Sequence, residues 1–442
     1  MLLAHVKADY SFGVTVAIRK LTSPTLIGAS IIATSIVLVF RAAGTWGKLR
    51  GDESLLISDA ARYGFTAIPD LFGGYLHVAQ RTVVTLVSVL PVSAFPFGLM
   101  VAALGFWIFN FFLMAIATSR ASERRYIWFA LPLLACLPVL GIEIMGDLVH
   151  IQVAMFVGIA AVVVLDQLPK DQWVLHLFGV YILVFGLSSP SIVLISLALF
   201  YRHKRPRLGH RESEHRHHLV LRYAVVGLLV QLFATAVQDE RGLYISFDNF
   251  LTGIRFMVFS VLPQPYRDMY FDTSAVAPGV VNTIFQFVIF ALIVAIVYRL
   301  KDQSDHNHER LFMELLGFGV VATVFYTTIS DSYHTGYLAA LHIFGGVAAV
   351  HFLIHSTSKL KLVAAVGLVV FAVGSVQSFQ PNEIDDVFYG GGGWLYSELA
   401  PWDEALERSR AACDADPSRD VFIATNLVDS YWGVVLNCSD LR

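Results

Sequence analysis

The chain has 442 residues, of which 56% are hydrophobic and 15% are charged. Phenylalanine alone occurs 33 times, and because a soluble surface would not tolerate this balance, the composition indicates a polytopic membrane protein. The formal net charge of −3 is spread between apolar runs and gives no reason to expect nucleic acid as a partner. The charges scattered over residues 1–24, without a small-residue cleavage site, predict no cleaved signal peptide.

Apolar runs near the length that crosses a bilayer, about 20 residues, occur about eleven times along the chain. These runs cover residues 24–41, 97–117, 126–142, 149–165, 173–187, 190–201, 223–237, 279–299, 312–329, 337–354 and 362–379. Two shorter or interrupted runs, 82–95 and 247–262, favour interfacial or re-entrant helices. The predicted fold class is therefore an all-α polytopic membrane protein with about eleven transmembrane helices.

The distribution of Lys and Arg predicts the orientation. Basic residues are frequent in the segments that would be cytoplasmic if the N-terminus is inside, as in residues 202–222. The rule then places residues 42–97, 238–278 and 380–442 on the outer face. We therefore expect a multi-pass membrane protein with a cytoplasmic N-terminus and an extracytoplasmic C-terminus.

The first outer loop is the main candidate for chemistry. It is long, it carries four carboxylates between Trp46 and Arg81, and a loop that only joined two spans would need few residues. Asp52 and Glu53 follow the first span closely, and we interpret them as the reactive centre. The other candidates in this loop, as contacts for a substrate, are Arg62, Tyr75, His77 and Arg81.

Three further groups of polar residues lie at the ends of predicted spans. Glu143, Asp147 and His150 have helix-like spacing and would share one face, although they would equally suit the caps of a short outer hairpin. The pair Ser188 and Ser189 interrupts two short apolar runs, which predicts either a cavity that opens outward or a tight turn. A second short outer loop contains Tyr333 and His334, which would contact a substrate or belong to an interfacial aromatic belt.

The tail differs from the rest of the chain because it is polar and amphipathic. It contains Cys413 and Cys438, while Cys136 lies in an apolar run. In an oxidising compartment this pair would form a disulfide that closes a loop of about 25 residues and stabilises the tail by roughly 3 kcal/mol. We therefore expect a transmembrane domain over 1–379, with an outer catalytic loop at 42–97, and a small extracytoplasmic subdomain over 380–442.

Two other patterns would suggest a metal site and a phosphate-binding loop, but each has a simpler interpretation. The histidine-rich run from His203 to His218 has no fixed tetrahedral spacing, which favours a solvated basic loop beside anionic lipid heads over a metal site. The glycines 390–393 lack the Lys and Ser or Thr of a phosphate-binding loop, which favours a joint in the chain.

A resemblance rests on the single span before a long outer loop with an acidic pair, and on the stretches GGYLHVAQR (73–81), EIMGDLVHIQ (143–152), GLSSPS (186–191) and WGVVLNCSDL (432–441). The chain resembles the C-type (GT-C) superfamily of integral-membrane glycosyltransferases, and within it a group of largely actinobacterial membrane proteins. The resemblance implies inverting transfer of a sugar from a polyprenyl-phosphate donor to a glycan, lipid or protein acceptor of the cell envelope.

In that superfamily an acid of the first outer loop is the general base, and Asp52 is the matching position. Arg62 or Arg81 would neutralise the departing phosphate, and Glu53, Glu143 or Asp147 are candidate ligands for a divalent metal such as Mg or Mn. Two alternatives stay open: a transporter or flippase of lipid-linked glycans, which would require inverted repeats, and a lipid-linked polymerase or ligase.

Overall fold

The computed structural model describes residues 24–42, 46–49, 51–122, 127–136, 147–204, 211–237, 307–329, 339–356, 359–378, 400–416, 418–425 and 433–441. Over these residues the fold is mostly helical, with thirteen α-helices and four short strands. The prediction of a helical protein is therefore confirmed, although the two small sheets make the term all-α too strict.

The helices are α1 (Pro24–Arg41), α2 (Gly51–Tyr63), α3 (Val78–Val87), α4 (Phe95–Ala121), α5 (Ile127–Ala135), α6 (Ile151–Val164), α7 (Gln172–Gly186), α8 (Ile192–Lys204), α9 (Arg211–Val237), α10 (Asn307–Ile329), α11 (Ala339–His355), α12 (Leu360–Ser378) and α13 (Trp402–Ala415). The strands are β1 (Leu71–Phe72), β2 (Tyr75–Leu76), β3 (Asp420–Ala424) and β4 (Gly433–Asn437).

Every predicted apolar run except 279–299 coincides with a helix where the structure describes it. The runs 279–299 and 247–262 lie outside the described residues. Two helical segments, Val92–Ala121 and Glu214–Val237, are long and apolar enough to cross a membrane, while several other apolar helices are shorter. Length and composition alone are weak evidence for a crossing, so the number of spans stays a prediction.

Helix α9 begins earlier than its apolar run predicts. The polar segment from Arg211 to Arg222 forms the first part of this helix rather than a solvated loop. His217 is buried and lies 3.0 Å from the carboxylate of Asp166. The sequence interpretation of this segment as a loop was therefore wrong for its second half, because its Arg, Glu and His residues are compatible with a helix that packs on one side.

Helix α6 forms the centre of the bundle, and all fourteen of its residues are buried. It packs closely against α4, where a Cβ built on Gly158 would lie 2.2 Å from Oδ1 of Asn110. Asn110 in turn exchanges hydrogen bonds with the hydroxyl of Tyr181 on α7, at 2.9 and 3.0 Å. Glycine at 158 therefore lets α4 approach α6 closely enough for Asn110 to reach a third helix.

The first loop folds into a compact series of short elements between α1 and α4. Helix α2 ends in a 3₁₀ turn, and β1 and β2 then form a hairpin with Phe72 opposite Tyr75. Gly73 and Gly74 form its two-residue turn with positive φ angles of 60° and 88°, a conformation that favours glycine. Helix α3 follows and ends at Val87, before Pro91, and α4 begins at Phe95. The apolar run 82–95 is therefore interrupted near Pro91, since proline disfavours the interior of a helix.

The tail forms a small unit in which α13 packs on the antiparallel pair β3–β4. Cys413 and Cys438, the pair expected from the sequence, are joined by a disulfide and are both buried. Trp402 connects this unit to the first loop, since its Nε1–H donates to the carbonyl oxygen of Val92 at 2.8 Å and its backbone N–H donates to Gly47 at 2.8 Å. The tail therefore lies against the first loop.

Candidate active site

Three of the sequence segments singled out above come together in space. The backbone N–H of Val78 donates to the carbonyl oxygen of Leu187 at 3.1 Å, and that of Ala79 donates to Oγ of Ser188 at 2.8 Å. The side chain of Gln152 donates to the hydroxyl of Tyr75 at 3.1 Å. The segment of β2 and the start of α3, the first turn of α6 and the break between α7 and α8 therefore meet at one place, although 77 to 109 positions separate the bonded residues.

We call the polar residues of these segments, together with the acidic pair at the start of α2, the loop cluster. Its members are Asp52, Glu53, Tyr75, His77, Gln80, Arg81, Asp147, His150 and Gln152.

Glu53 connects the first turn of α2 to the turn before α6. Its side chain is buried, and Oε1 accepts the backbone N–H of Leu148 at 2.9 Å. Its neighbour Asp52 is only half-buried and also lies in the first turn of α2. The helix dipole favours the ionised form of a carboxylate at this position. Of the two adjacent acids, Glu53 is buried against the turn before α6 and Asp52 is the more exposed.

Asp147 and His150 form a pair in the turn before α6. Oδ2 of Asp147 lies 2.6 Å from Nδ1 of His150, and Oδ1 accepts the backbone N–H of Val149 at 2.7 Å. The carboxylate side chain is 4% exposed and the imidazole 14% exposed. The spacing of these residues in the sequence predicted a shared face, and the structure places them in direct contact.

His77 is buried at the start of α3 between two aromatic rings. Its ring centroid lies 4.1 Å from that of Tyr75 and 5.3 Å from that of Phe72. Burial, together with the charges of Arg81 and His150, lowers the pKa of His77 to about 3, although the backbone of Phe72 offsets part of the effect. His77 is therefore neutral at ordinary pH, and neither ring nitrogen makes a hydrogen bond of normal geometry to the described residues.

Arg81 is a buried cation that links three elements of the first loop. Its guanidinium donates to Oδ2 of Asp59 on α2 at 3.0 Å and to the carbonyl oxygen of Leu71 at 3.4 Å. Arg62 differs, since it is exposed and lies over the ring of Tyr63 at 5.4 Å. Ten residues of helix, about 15 Å, separate Arg62 from Asp52 along α2. Of the two candidate cations, only Arg81 belongs to the loop cluster.

Ser188 and Ser189 do not line an accessible surface, because both are fully buried. Ser188 bonds to Ala79 and to the carbonyl oxygen of Val184, whereas Oγ of Ser189 lies 2.6 Å from Oγ of Ser191. The expectation that this pair contacts a substrate is therefore not met in this conformation. These short hydroxyls satisfy backbone and side-chain groups at the break between α7 and α8, which agrees with the alternative of a tight turn.

Three glutamines belong to the site although the sequence analysis did not single them out. Gln80 donates to the carbonyl oxygen of Val149 at 3.1 Å, and Gln152 contacts Tyr75 as described. Gln231 of α9 accepts the backbone N–H of Leu76 at 3.2 Å and donates to its carbonyl oxygen at 3.3 Å. A carboxamide within an otherwise apolar helix was the available signal, since a polar group there needs a partner.

The remaining candidates lie outside the described residues, namely Glu143, Tyr333 and His334. Within the described part of the chain, no group of three or more His, Cys, Asp and Glu residues could hold a metal ion. Glu53 and Asp147 each use an oxygen to accept a backbone N–H. No chemical step is assigned to a metal here, and the expected divalent ion stays a prediction.

Comparison of the chain with protein-family models gives no match, and comparisons with curated proteins and with solved structures give no significant match. A function is therefore inferred from the geometry of the loop cluster and from the sequence resemblance.

Proposed function

We propose that the protein is an integral-membrane glycosyltransferase of GT-C type that transfers a sugar from a polyprenyl-phosphate donor to an acceptor of the cell envelope, with inversion at the anomeric carbon. The observation that carries the proposal is the loop cluster. Its contacts hold the start of α2, which carries the half-buried Asp52, and α3, which carries the buried cation Arg81, against the turn with the Asp147–His150 pair.

A membrane location is supported by apolar side chains that face outward along helices. On α1, Ile32, Ile36 and Phe40 are 61%, 49% and 73% exposed and recur every four residues. Helix α12 presents a similar face, and Phe233, in the last turns of α9, is 71% exposed. Contiguous apolar surface on this scale is a liability in water and is stable in lipid. The short helix α6, which is wholly buried, would lie inside the bundle rather than against lipid.

A position at the membrane surface suits a lipid-linked donor. Helix α3 has a buried face that includes Arg81 and Val84. In its last turn and just beyond it, Leu86, Val89 and Leu90 are 56%, 77% and 45% exposed. Such a helix lies naturally at the boundary between lipid and water. On this proposal the polyprenyl chain stays in the bilayer and the phosphate and sugar reach the loop cluster from its edge.

The chemistry follows from the roles that these side chains can take. The acceptor hydroxyl attacks the anomeric carbon while the bond from that carbon to the phosphate oxygen breaks. Asp52, ionised at the start of α2, accepts the hydroxyl proton as general base. Arg81 supplies positive potential to the departing phosphate, even though its guanidinium is held by Asp59. On this proposal the loop cluster lies outside the cell, and so does the C-terminal tail.

The proposal is tested by identifying the lipid that the protein retains. We expect the protein purified in mild detergent to carry a polyprenyl phosphate or its sugar conjugate, detected by mass spectrometry after organic extraction. The variant for comparison is Arg81→Gln, which removes the buried cation and should reduce the amount of polyprenyl phosphate retained. A lipid extract without polyprenyl phosphate from both proteins, together with no release of polyprenyl phosphate from a synthetic polyprenyl-phosphate pentose or hexose, would contradict the proposal.

The same measurements separate the alternatives. A flippase would retain a lipid-linked glycan but would not release polyprenyl phosphate from it. A polymerase or ligase would yield products that contain several sugar units. Each outcome replaces the proposed single transfer by another function at the same site.

A further inference from the structure

The turn before α6 holds a carboxylate and an imidazole in direct contact, and their exposures differ. Asp147 is nearly inaccessible, whereas the His150 side chain is 14% exposed. The contact is made through Nδ1 at 2.6 Å. A carboxylate at this nitrogen orients the ring with Nδ1–H toward the carboxylate and directs Nε2 away from it.

This turn is fixed from two other elements. Glu53 of α2 accepts the N–H of Leu148, and Gln80 of α3 donates to the carbonyl oxygen of Val149. Helix α6, which begins directly after His150, is buried along its whole length. The imidazole is therefore attached to backbone that is restrained on each side, which is the arrangement that positions a reacting group reproducibly.

Helix capping alone does not account for the pair. His150 occupies the position before the first residue of α6, but its side chain makes no capping hydrogen bond. The backbone N–H of Val149 is satisfied by Asp147 without the imidazole. A turn that served only to start the helix would need the carboxylate and not the histidine.

We infer that His150, oriented by Asp147, is the general acid that protonates the departing phosphate, an inference that depends on the proposed function. As the acceptor oxygen bonds to the anomeric carbon, the electron pair of the breaking carbon–oxygen bond passes to the phosphate oxygen. Asp52 takes the proton of the acceptor hydroxyl, and Nε2–H of the His150 imidazolium gives a proton to the phosphate. The products are the glycoside and polyprenyl hydrogen phosphate, and exchange with water restores both side chains.

The charged and titratable groups around His150 are consistent with this role. Asp147 stabilises an imidazolium through the contact at Nδ1. His77, directly before α3, is close enough for the charge of His150 to lower its pKa, and it is itself neutral. Arg81 of α3 acts on His77 in the same direction. Glu53 of α2 holds the adjoining Leu148 through its backbone N–H. The carboxylate in direct contact with the imidazole is therefore that of Asp147, and the neighbouring histidine of the loop cluster carries no charge.

The test is the pH dependence of kcat/KM for full-length protein in lipid nanodiscs. The probe is a synthetic polyprenyl-phosphate pentose or hexose, and the readout is release of polyprenyl phosphate. Wild-type protein should show a bell-shaped profile, with an acid limb from Asp52 and an alkaline limb from His150. His150→Gln should lower kcat/KM by about 10²-fold or more and remove the alkaline limb. Imidazole in the buffer should partly restore His150→Ala.

His176→Gln is the matched control, because His176 is an exposed histidine on α7 and its loss should leave the profile unchanged. If His150→Gln keeps the alkaline limb, or loses activity equally at every pH while imidazole fails to restore His150→Ala, then His150 is not the acid and the inference is overturned, although the proposed function stands. If wild-type protein releases no polyprenyl phosphate from any probe, the proposed function fails and the inference fails with it.

Discussion

Oγ of Ser58 in α2 accepts a hydrogen bond from the backbone N–H of Val435 in β4 at 2.9 Å, although 377 positions separate the two residues. Ser58 and Asp52 belong to the same short helix. The disulfide-linked tail therefore braces the helix that presents the proposed base. This contact, together with those of Trp402, means that the tail packs against the first loop.

The disulfide is expected to maintain this brace. Removing it with Cys413→Ser and Cys438→Ser should cost the tail roughly 3 kcal/mol, because the disulfide closes a loop of 25 positions. We expect faster proteolysis within the tail and lower transfer activity, measured by limited proteolysis and by polyprenyl phosphate release. Cys136→Ser is the control, since Cys136 is not in a disulfide. Equal protease resistance in the double variant and in wild type would show that the brace does not need the disulfide.

The packing of α4 on α6 depends on a missing side chain. Gly158→Ala should destabilise the protein by about 1–3 kcal/mol, because the new methyl group would lie 2.2 Å from Oδ1 of Asn110. Gly105→Ala on α4 has no atom within 4 Å of its new methyl group and should be neutral or slightly stabilising. Thermal unfolding in detergent compares the two, and similar melting temperatures for both variants would contradict the close contact.

The carboxamide of Gln231 is expected to hold the hairpin to α9. Gln231→Leu leaves the buried N–H and C=O of Leu76 without their partner and should cost about 1–3 kcal/mol. Gln231→Glu keeps the acceptor for the N–H but buries a carboxylate against the C=O of Leu76, so it should cost at least as much. Amide hydrogen exchange at Leu76 measures the effect directly. Unchanged protection in Gln231→Leu would mean that this hydrogen bond contributes nothing.

The buried imidazole of His77 predicts a specific dependence of stability on pH. Its pKa in the folded protein is about 3, below the ordinary 6.5, so the unfolded chain binds more protons between these values. The free energy of unfolding should therefore fall as pH decreases below about 6.5, by up to about 1.4 kcal/mol for each pH unit. His77→Phe keeps an aromatic ring beside Tyr75 and Phe72 and should lack this contribution.

The free energy of unfolding is measured for wild type and for His77→Phe at pH 7 and at pH 4.5. The loss between the two pH values is then compared between the two proteins. His176→Phe, at an exposed position, should leave the pH dependence as it is in wild type. If His77→Phe lost stability with decreasing pH as steeply as wild type, the imidazole would not be buried in its neutral form.

Several features of this molecule could be predicted from local sequence. The apolar runs predicted the helices and Pro91 predicted the interruption between α3 and α4, because each of these depends on burial or on local backbone conformation. The pairing of Cys413 with Cys438 also followed from their location outside the apolar runs. These signals are contained in a few neighbouring residues.

The roles of individual site residues could not be predicted in the same way. Asp52 and Glu53 are adjacent and chemically alike, and only the position of the distant Leu148 N–H distinguishes them. The burial of Ser188 likewise depends on α3, which packs against it from another part of the chain. Such roles depend on contacts between distant segments, and one sequence carries no local sign of them.

The central claim is that Asp52 is the general base. Asp52→Asn keeps the shape of the side chain and removes its basicity, so release of polyprenyl phosphate should fall by about 10²- to 10⁴-fold while the melting temperature stays near that of wild type. Glu53→Gln can still accept the N–H of Leu148 and should lose less, and Asp403→Asn, at an exposed site of the tail, should lose nothing. Near-normal turnover in Asp52→Asn, with Glu53→Gln or Asp147→Asn inactive, would contradict the account by moving the base to one of those residues.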